Sequence, residues 1–258
     1  MYEYFYKARM ENINNTYFDG YYKDIWRAII PPEFSQKEAE FIHQHFHLKE
    51  GNKVLDMMCG YGRHAIALAQ RGISVTAVDN LDEYVSEIKE RVAQEQLPVF
   101  PVKADILNYS PEGIFDLAIC MGNSLCFFDK EDTLKILRTL FSHLKEDGFL
   151  FINTWMLAEI VFQKFKDREW NKIGDVRLIT ESKYLLQPSR IETEHMILDE
   201  QGNTEFKKAV DYIYSIAETE QILSEAGFIM KDVYSVPGRK KFSLGDARAY
   251  IIAQKKSQ

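Results

Sequence analysis

The chain has 258 residues, a formal net charge of −7, and an apolar share of 46% against 28% charged residues. That composition excludes collagen-like, low-complexity and disulfide-scaffold classes and allows one large α/β domain with an insertion. The acidic balance argues against a broad nucleic-acid-binding face, and no segment reaches the roughly 18 uninterrupted apolar residues of a membrane span. The three cysteines, Cys59, Cys120 and Cys126, read as reduced thiols because their number is odd. Met1 to Arg9 is tyrosine-rich and charged where a secretory leader needs an apolar run. The expected compartment is therefore the cytoplasm.

In chain order, residues 1–34 carry Tyr2, Tyr4, Tyr6, Tyr17, Tyr21, Tyr22 and Trp26 among polar neighbours. They read either as an aromatic segment over a ligand mouth or as a helix packed on the domain. Ser35-Gln36-Lys37-Glu38 has the spacing of a capping box, predicting a helix from Ser35 toward His47. Alternating elements follow: strand 53–58, helix 62–71, strand 74–79, helix 82–95, strand 99–103, strand 115–121, helix 130–145 and strand 148–155. This alternation predicts a doubly wound, mostly parallel sheet covered on both faces.

After Trp155 the pattern changes to a helix over 156–172 and β alternation over 176–180, 190–198 and 206–214, with a hairpin turn at Asp199 to Asn203. Ser215 to Glu218 caps a last helix, Gly227 ends it, and 228–233 and 249–253 close the sheet. The expected organisation is an N-terminal segment 1–34, a core of 35–155 and 215–258, and an α+β insertion 156–214. The insertion would cover an acceptor or form a homodimer interface through 176–214.

The most informative stretch is Val54 to His64 followed by Val75 to Asp79. A strand enters a Gly-x-Gly turn, a helix follows, and a second strand ends in an acid about twenty residues on, which is nucleotide-binding geometry. Side chains at Gly60 or Gly62 would fill space a ligand needs, and Asp79 would hydrogen-bond a ribose diol. Asp56 separates the candidate ligands. A carboxylate beneath the loop would repel a pyrophosphate but favour the ammonium of a methionine moiety.

Those residues resemble motif I of the class I S-adenosylmethionine-dependent methyltransferases, in the form L-D-x-x-C-G-x-G-R-H. The resemblance continues in family order through Ala104-Asp105-Ile106, Phe115 to Ile119, Leu144 to Leu150 and Leu223 to Phe228. It implies a Rossmann-like α/β fold with a seven-stranded sheet and S-adenosyl-L-methionine as cofactor. The implied cofactor residues are Asp56, Cys59, Gly60, Gly62 and Arg63 around the methionine end, Asp79 and Asn80 at the ribose, Asp105 and Ile106 at the adenine, and Met121 and Gly122 at the end of the fourth strand, where Gly122 and Asn123 would line the path of the methyl group. The layout is similar to small-molecule N-methyltransferases, including those acting on amino groups of nucleotide-linked sugars, for which Arg168, Arg177, Arg190 and Arg239 are candidate diphosphate ligands.

Met121-Gly122-Asn123-Ser124 stands where base and glutamine methyltransferases carry Asn/Asp-Pro-Pro-Tyr/Phe, so those acceptors are disfavoured. The expected activity is methyl transfer to a small-molecule amine by in-line displacement, in which proximity and orientation are the main catalytic effects. No catalytic base is assigned; His64, Asn123 and Tyr22 are the weak candidates. Arg63 at a helix start opposes the dipole and calls for an acidic partner, with Asp56 the expected one. His43 and His47 lie one helical turn apart, but no third ligand is evident and no metal is expected. The competing reading is a non-catalytic S-adenosylmethionine-binding or dimerisation module. A nicotinamide oxidoreductase is disfavoured by Asp56.

Overall fold

The computed structural model describes residues 12–256; Tyr2, Tyr4 and Tyr6 lie outside the described residues. A short 3-10 turn, Ile13–Thr16, opens the described chain and leads to α1 (Gly20–Ile29) and α2 (Pro32–His45). Pro32 stands at the first turn of α2, where its missing N–H costs nothing, and this sets the helix start. Ser35 and Glu38 are therefore helical and buried rather than a capping box, a correction to the pattern expected from spacing alone.

The alternating region folds as β1 (Lys53–Met57), α3 (Arg63–Ala69), β2 (Ser74–Asp79), α4 (Asp82–Glu95), β3 (Val99–Lys103), β4 (Phe115–Cys120), α5 (Lys130–His143) and β5 (Leu144–Thr154). Val54, Leu55, Asp56 and Met57 are all buried, as a strand covered on both faces requires. β1 pairs in parallel with β2 and with β4, β2 with β3, and β4 with β5.

The insertion departs from its expected form. Only Ala158–Lys164 is helical (α6), and Arg168–Ile173 is a strand, β6, rather than the tail of a helix. It pairs with β7 (Val176–Leu186), which pairs with β8 (Ser189–Leu198), and β8 with β9 (Thr204–Tyr212), all antiparallel. The helical expectation for 156–172 came from its apolar half. Residues 168–172 are almost wholly exposed and are fixed by pairing with β7, which single-segment periodicity does not report.

The chain returns through α7 (Ile216–Glu225), opened by a complete capping box of Ser215 and Glu218, to β10 (Phe228–Val236), β11 (Lys240–Lys241) and β12 (Ala249–Lys255). The main sheet has eight strands in the order β11-β10-β12-β5-β4-β1-β2-β3, where seven were expected. The extra strand is the two-residue β11, a hairpin return on β10. Fully buried Leu55, Met57, Leu117, Ile119, Phe151 and Tyr250 anchor the core, and the carboxyl ends of β1, β2 and β4 meet at one edge.

Candidate functional site

At that edge lies a cavity enclosing about 980 Å³, its open mouth included. Its size falls within the roughly 300–1,000 Å³ usual for small-molecule sites. The floor comes from the β1–α3 loop and the ends of β2 and β4. It is lined by Asp56, Cys59, Gly60, Arg63, His64, Asp79, Asn80, Asp105, Ile106, Met121 and Gly122 among others. Of the residues assigned to a cofactor from sequence, Gly62 stands outside the lining. Its backbone is left-handed at φ +75°, it caps α3, and a Cβ there would stand 2.8 Å from Ile88 on α4. Glycine at 62 thus answers to conformation and helix packing rather than to ligand space. Met58, at φ +60°, shares the left-handed region without being glycine, so the loop stores backbone strain at the cavity floor.

Asp56 is completely buried, and neither carboxylate oxygen closes a hydrogen bond among the described residues. Burial pushes its carboxyl up to about 8, while the Arg63 charge pulls the other way. Such a group awaits a cation or a donor from a ligand. Asp79 is differently placed: Oδ2 accepts from the Gly60 amide at 2.7 Å and Oδ1 from the Leu81 amide at 3.0 Å. Burial raises its carboxyl, and those amides oppose the rise. Asp105 accepts from the Leu107 amide and from Asn108 Nδ2, so it braces its own turn while lining the cavity. Asn80 lines it as well and donates through Nδ2 to the Asn15 carbonyl at 3.1 Å, tying the N-terminal segment to the floor.

Arg63 does not pair with Asp56. Nη1 donates to Glu38 Oε2 at 2.6 Å and to Ser35 Oγ at 3.1 Å. Glu38 also bonds His64 Nε2 at 2.9 Å and accepts from the Tyr250 hydroxyl at 2.7 Å. Burial would raise the Glu38 carboxyl, but His64, Arg63 and Tyr250 hold it at about 2. Burial and the Arg63 charge bring His64 down to about 4, so it is neutral at pH 7 with Nε2 committed to Glu38. His64 lines the cavity but serves first to hold the loop.

The other two proton-handling candidates stand outside the cavity lining. The Asn123 side chain is spent on four contacts: Oδ1 accepts from Thr154 Oγ1 and the Trp155 amide, and Nδ2 donates to Cys126 Sγ and Asp211 Oδ1. Tyr22 packs its ring 4.2 Å from that of Tyr17, whose hydroxyl bonds His195 Nε2 at 2.8 Å. Arg168, Arg177, Arg190 and Arg239 also lie away from the lining; Arg168 pairs with Glu181 and Arg190 with Glu192.

Sequence reasoning offered an aromatic cover over residues 1–34, Trp26 included, as one of two alternatives, but it did not single out the other residues of the roof. Asn12, Asn14, Asn15, Phe18 and Trp26 of the N-terminal segment line the cavity together with Phe127 and Phe128. The Phe18 ring lies 5.6 Å from Trp26 and 5.7 Å from Phe127. The other face of this segment, Tyr17, Tyr22 and Ile25, packs on Leu178, Ile197 and Ala209 of the insertion sheet. Asn14 pairs both its amide groups with the Val210 backbone. One segment thus both roofs the cavity and docks on the insertion, combining two readings that the sequence left as alternatives.

A family model described as a methyltransferase domain matches residues 54–148. Over 162 residues, 61% of each chain, the protein is 28% identical to a glycine/sarcosine N-methyltransferase of Aphanothece halophytica. Over 167 residues, 55% of each, it is 29% identical to human glycine N-methyltransferase. It thus matches little more than half the length of these relatives. Among solved structures, an S-adenosylmethionine-dependent methyltransferase from Clostridium acetobutylicum superposes with a TM-score of 0.77 at 19% identity, over 92% of this chain and 97% of that one. An amino pentose methyltransferase from Micromonospora echinaspora, solved with S-adenosylmethionine bound, gives 0.69 at 16%, over 92% and 98%. At those identities the structural likeness is one of fold.

Proposed function

We propose that this chain, which matches a methyltransferase-domain model over residues 54–148, is a class I S-adenosylmethionine-dependent methyltransferase that transfers a methyl group from that cofactor to an amine of a small molecule. The observation that carries this reading is the Asp56 carboxylate, buried without a partner beneath the Gly60 turn in the cavity that Asp79 also lines. An orphan carboxyl there, ionising as the ligand binds, suits the ammonium of a methionine moiety, and the Asp79 oxygens keep lone pairs for ribose hydroxyls. Asp105 and Ile106 would border the adenine. The N-methyltransferase relatives support the choice of an amine acceptor.

When bound, the cofactor supplies a sulfonium methyl group that already carries its leaving group. The chain's own work is then to hold, align and dry the reactants. Asp56 and Asp79 would hold the donor at its methionine and ribose parts, and Phe18, Trp26 and Phe127 would exclude water from above. Proton removal falls to no assigned side chain, since an amine attacks in its neutral form.

The test is calorimetric titration with S-adenosylmethionine and S-adenosylhomocysteine, with NAD as control, followed by a screen of amines and amino sugars for methyl acceptance. Micromolar binding of the first two with methylated product supports the reading. Binding without turnover of any acceptor favours a non-catalytic binding module, and binding of NAD alone overturns the reading.

The same proposal includes a cytoplasmic location and a homodimer through 176–214. Three buried cysteines that are all unpaired suit a reducing compartment. The outer strand β6, with Trp170 69% exposed, leaves the insertion sheet an edge to pair beside that segment. Light scattering at twice the chain mass supports the dimer; the monomer mass at high concentration removes it.

A further inference from the structure

Tyr84, on the first turns of α4, carries a polar atom that the fold leaves unused. Its side chain is 2% exposed and lines the cavity, and its hydroxyl has no hydrogen-bond partner among the described residues. The ring packs 5.9 Å from that of Tyr61, and its Cε2 lies 3.9 Å from where a Cβ on Gly60 would stand, so the phenol end sits beside the Gly60 turn. Phenylalanine would fill the same volume. The hydroxyl is therefore the feature to be explained, because a buried donor without an acceptor costs stability that a ligand can recover.

Resting on the cofactor reading above, we propose that the Tyr84 hydroxyl donates a hydrogen bond to a ribose oxygen of the cofactor, completing with Asp79 the recognition of the sugar. Asp79 is the foremost charge near the phenol. Burial first and that carboxylate second push the Tyr84 hydroxyl up, so it stays protonated and can only donate against an anion. Each Asp79 oxygen already accepts one backbone amide and can still accept a ribose O–H. A ribose hydroxyl that donates to Asp79 keeps lone pairs, and one of these meets the Tyr84 O–H. The cofactor's own carboxylate is a poorer partner at this point: Asp79 and Glu87 both bear on the phenol, and the charge of nearby Arg27 is taken by Glu87 at 2.6 Å.

The test is Tyr84→Phe, titrated with S-adenosylhomocysteine and with 5′-methylthioadenosine, which keeps the ribose and lacks the amino-acid end. Both affinities are expected to fall by a common factor of roughly three to ten, while the ligand-free melting temperature stays level or rises. Unchanged affinity for both ligands overturns the proposal, as does a loss confined to S-adenosylhomocysteine, which would place the contact at the carboxylate. A lower melting temperature with intact affinity overturns it in favour of packing. A wild-type protein that binds neither ligand rejects the cofactor reading itself, a result distinct from any of these.

Discussion

Two clusters of buried polar groups meet at the β1–α3 loop, and they treat their charges in opposite ways. In the first, Glu38 binds Arg63, His64 and Tyr250, and every partner is supplied by the chain. In the second, Asp56 and Tyr84 line the cavity with no partner of their own among the described residues. The first cluster holds the loop's shape. The second keeps hydrogen-bonding capacity in reserve, which makes it the part of the molecule that the proposed cofactor would complete. The pKa values follow the same division, with Glu38 held at about 2 and Asp56 pushed up to about 8.

The largest expected effect comes from breaking the satisfied cluster. Glu38→Gln removes the charge that neutralises a buried arginine and should cost about 3 kcal/mol in urea unfolding at pH 7. The pH dependence sharpens the point. The Glu38 carboxyl falls from 4.5 to about 2 on folding, so its contribution is complete above pH 4.5 and is lost as the pH drops toward 2. The variant should lack that part of the acid slope; a slope matching wild type would place the stabilisation elsewhere.

Asp56→Asn addresses the unsatisfied cluster and should act on binding instead. Affinity for S-adenosylhomocysteine is expected to fall by about thirtyfold, from the loss of one hydrogen bond between charged groups. The Asp56 carboxyl is raised on folding, so the wild-type acid destabilises the ligand-free protein increasingly as the pH rises from about 4 to about 8. The asparagine variant should therefore be at least as stable as wild type at pH 7. An ammonium ligand needs the ionised form, so wild-type binding should strengthen from pH 6 to 7.5 with release of a proton, read as a dependence of binding heat on buffer ionisation enthalpy. A buffer-independent heat would mean that Asp56 does not change its charge on binding.

Much of the floor was legible because its signals are local. The Gly60 turn, Asp79 at a strand end and the β–α alternation each follow from backbone rules acting over a few residues. The Glu38 cluster was not, and one pattern misled outright: Ser35 and Glu38 have capping-box spacing, yet Pro32 starts the helix a turn earlier and frees both side chains to meet Arg63. The partner of Arg63 was sought in Asp56 because sequence distance favoured it, while Glu38 reaches it from α2 through tertiary packing. Tyr84 and Phe127 carry no motif, since a lone aromatic on a helix or turn looks the same whether it packs or lines a cavity. Strand β6, exposed and without alternating burial, depends on β7 for its conformation.

The smallest expected effect tests whether burial alone marks a ligand-binding acid. Asp211 on β9 is also buried, and burial pushes its carboxyl up to about 6, but Cys126 Sγ donates to its Oδ1 at 3.0 Å and Asn123 Nδ2 faces the same oxygen at 3.4 Å. Its place is the joint between the insertion and the turn after β4, outside the cavity lining. Asp211→Asn should leave affinity for S-adenosylhomocysteine within about twofold of wild type, because the residue's partners are all internal. Its signature belongs to stability. With the folded carboxyl raised from 3.8 to about 6, wild-type stability should decline as the pH rises through that window, and the variant should be flat there. If Asp211→Asn instead matched the affinity loss of Asp56→Asn, the distinction between partnered and unpartnered acids would fail, and the joint would have to be counted as part of the binding site.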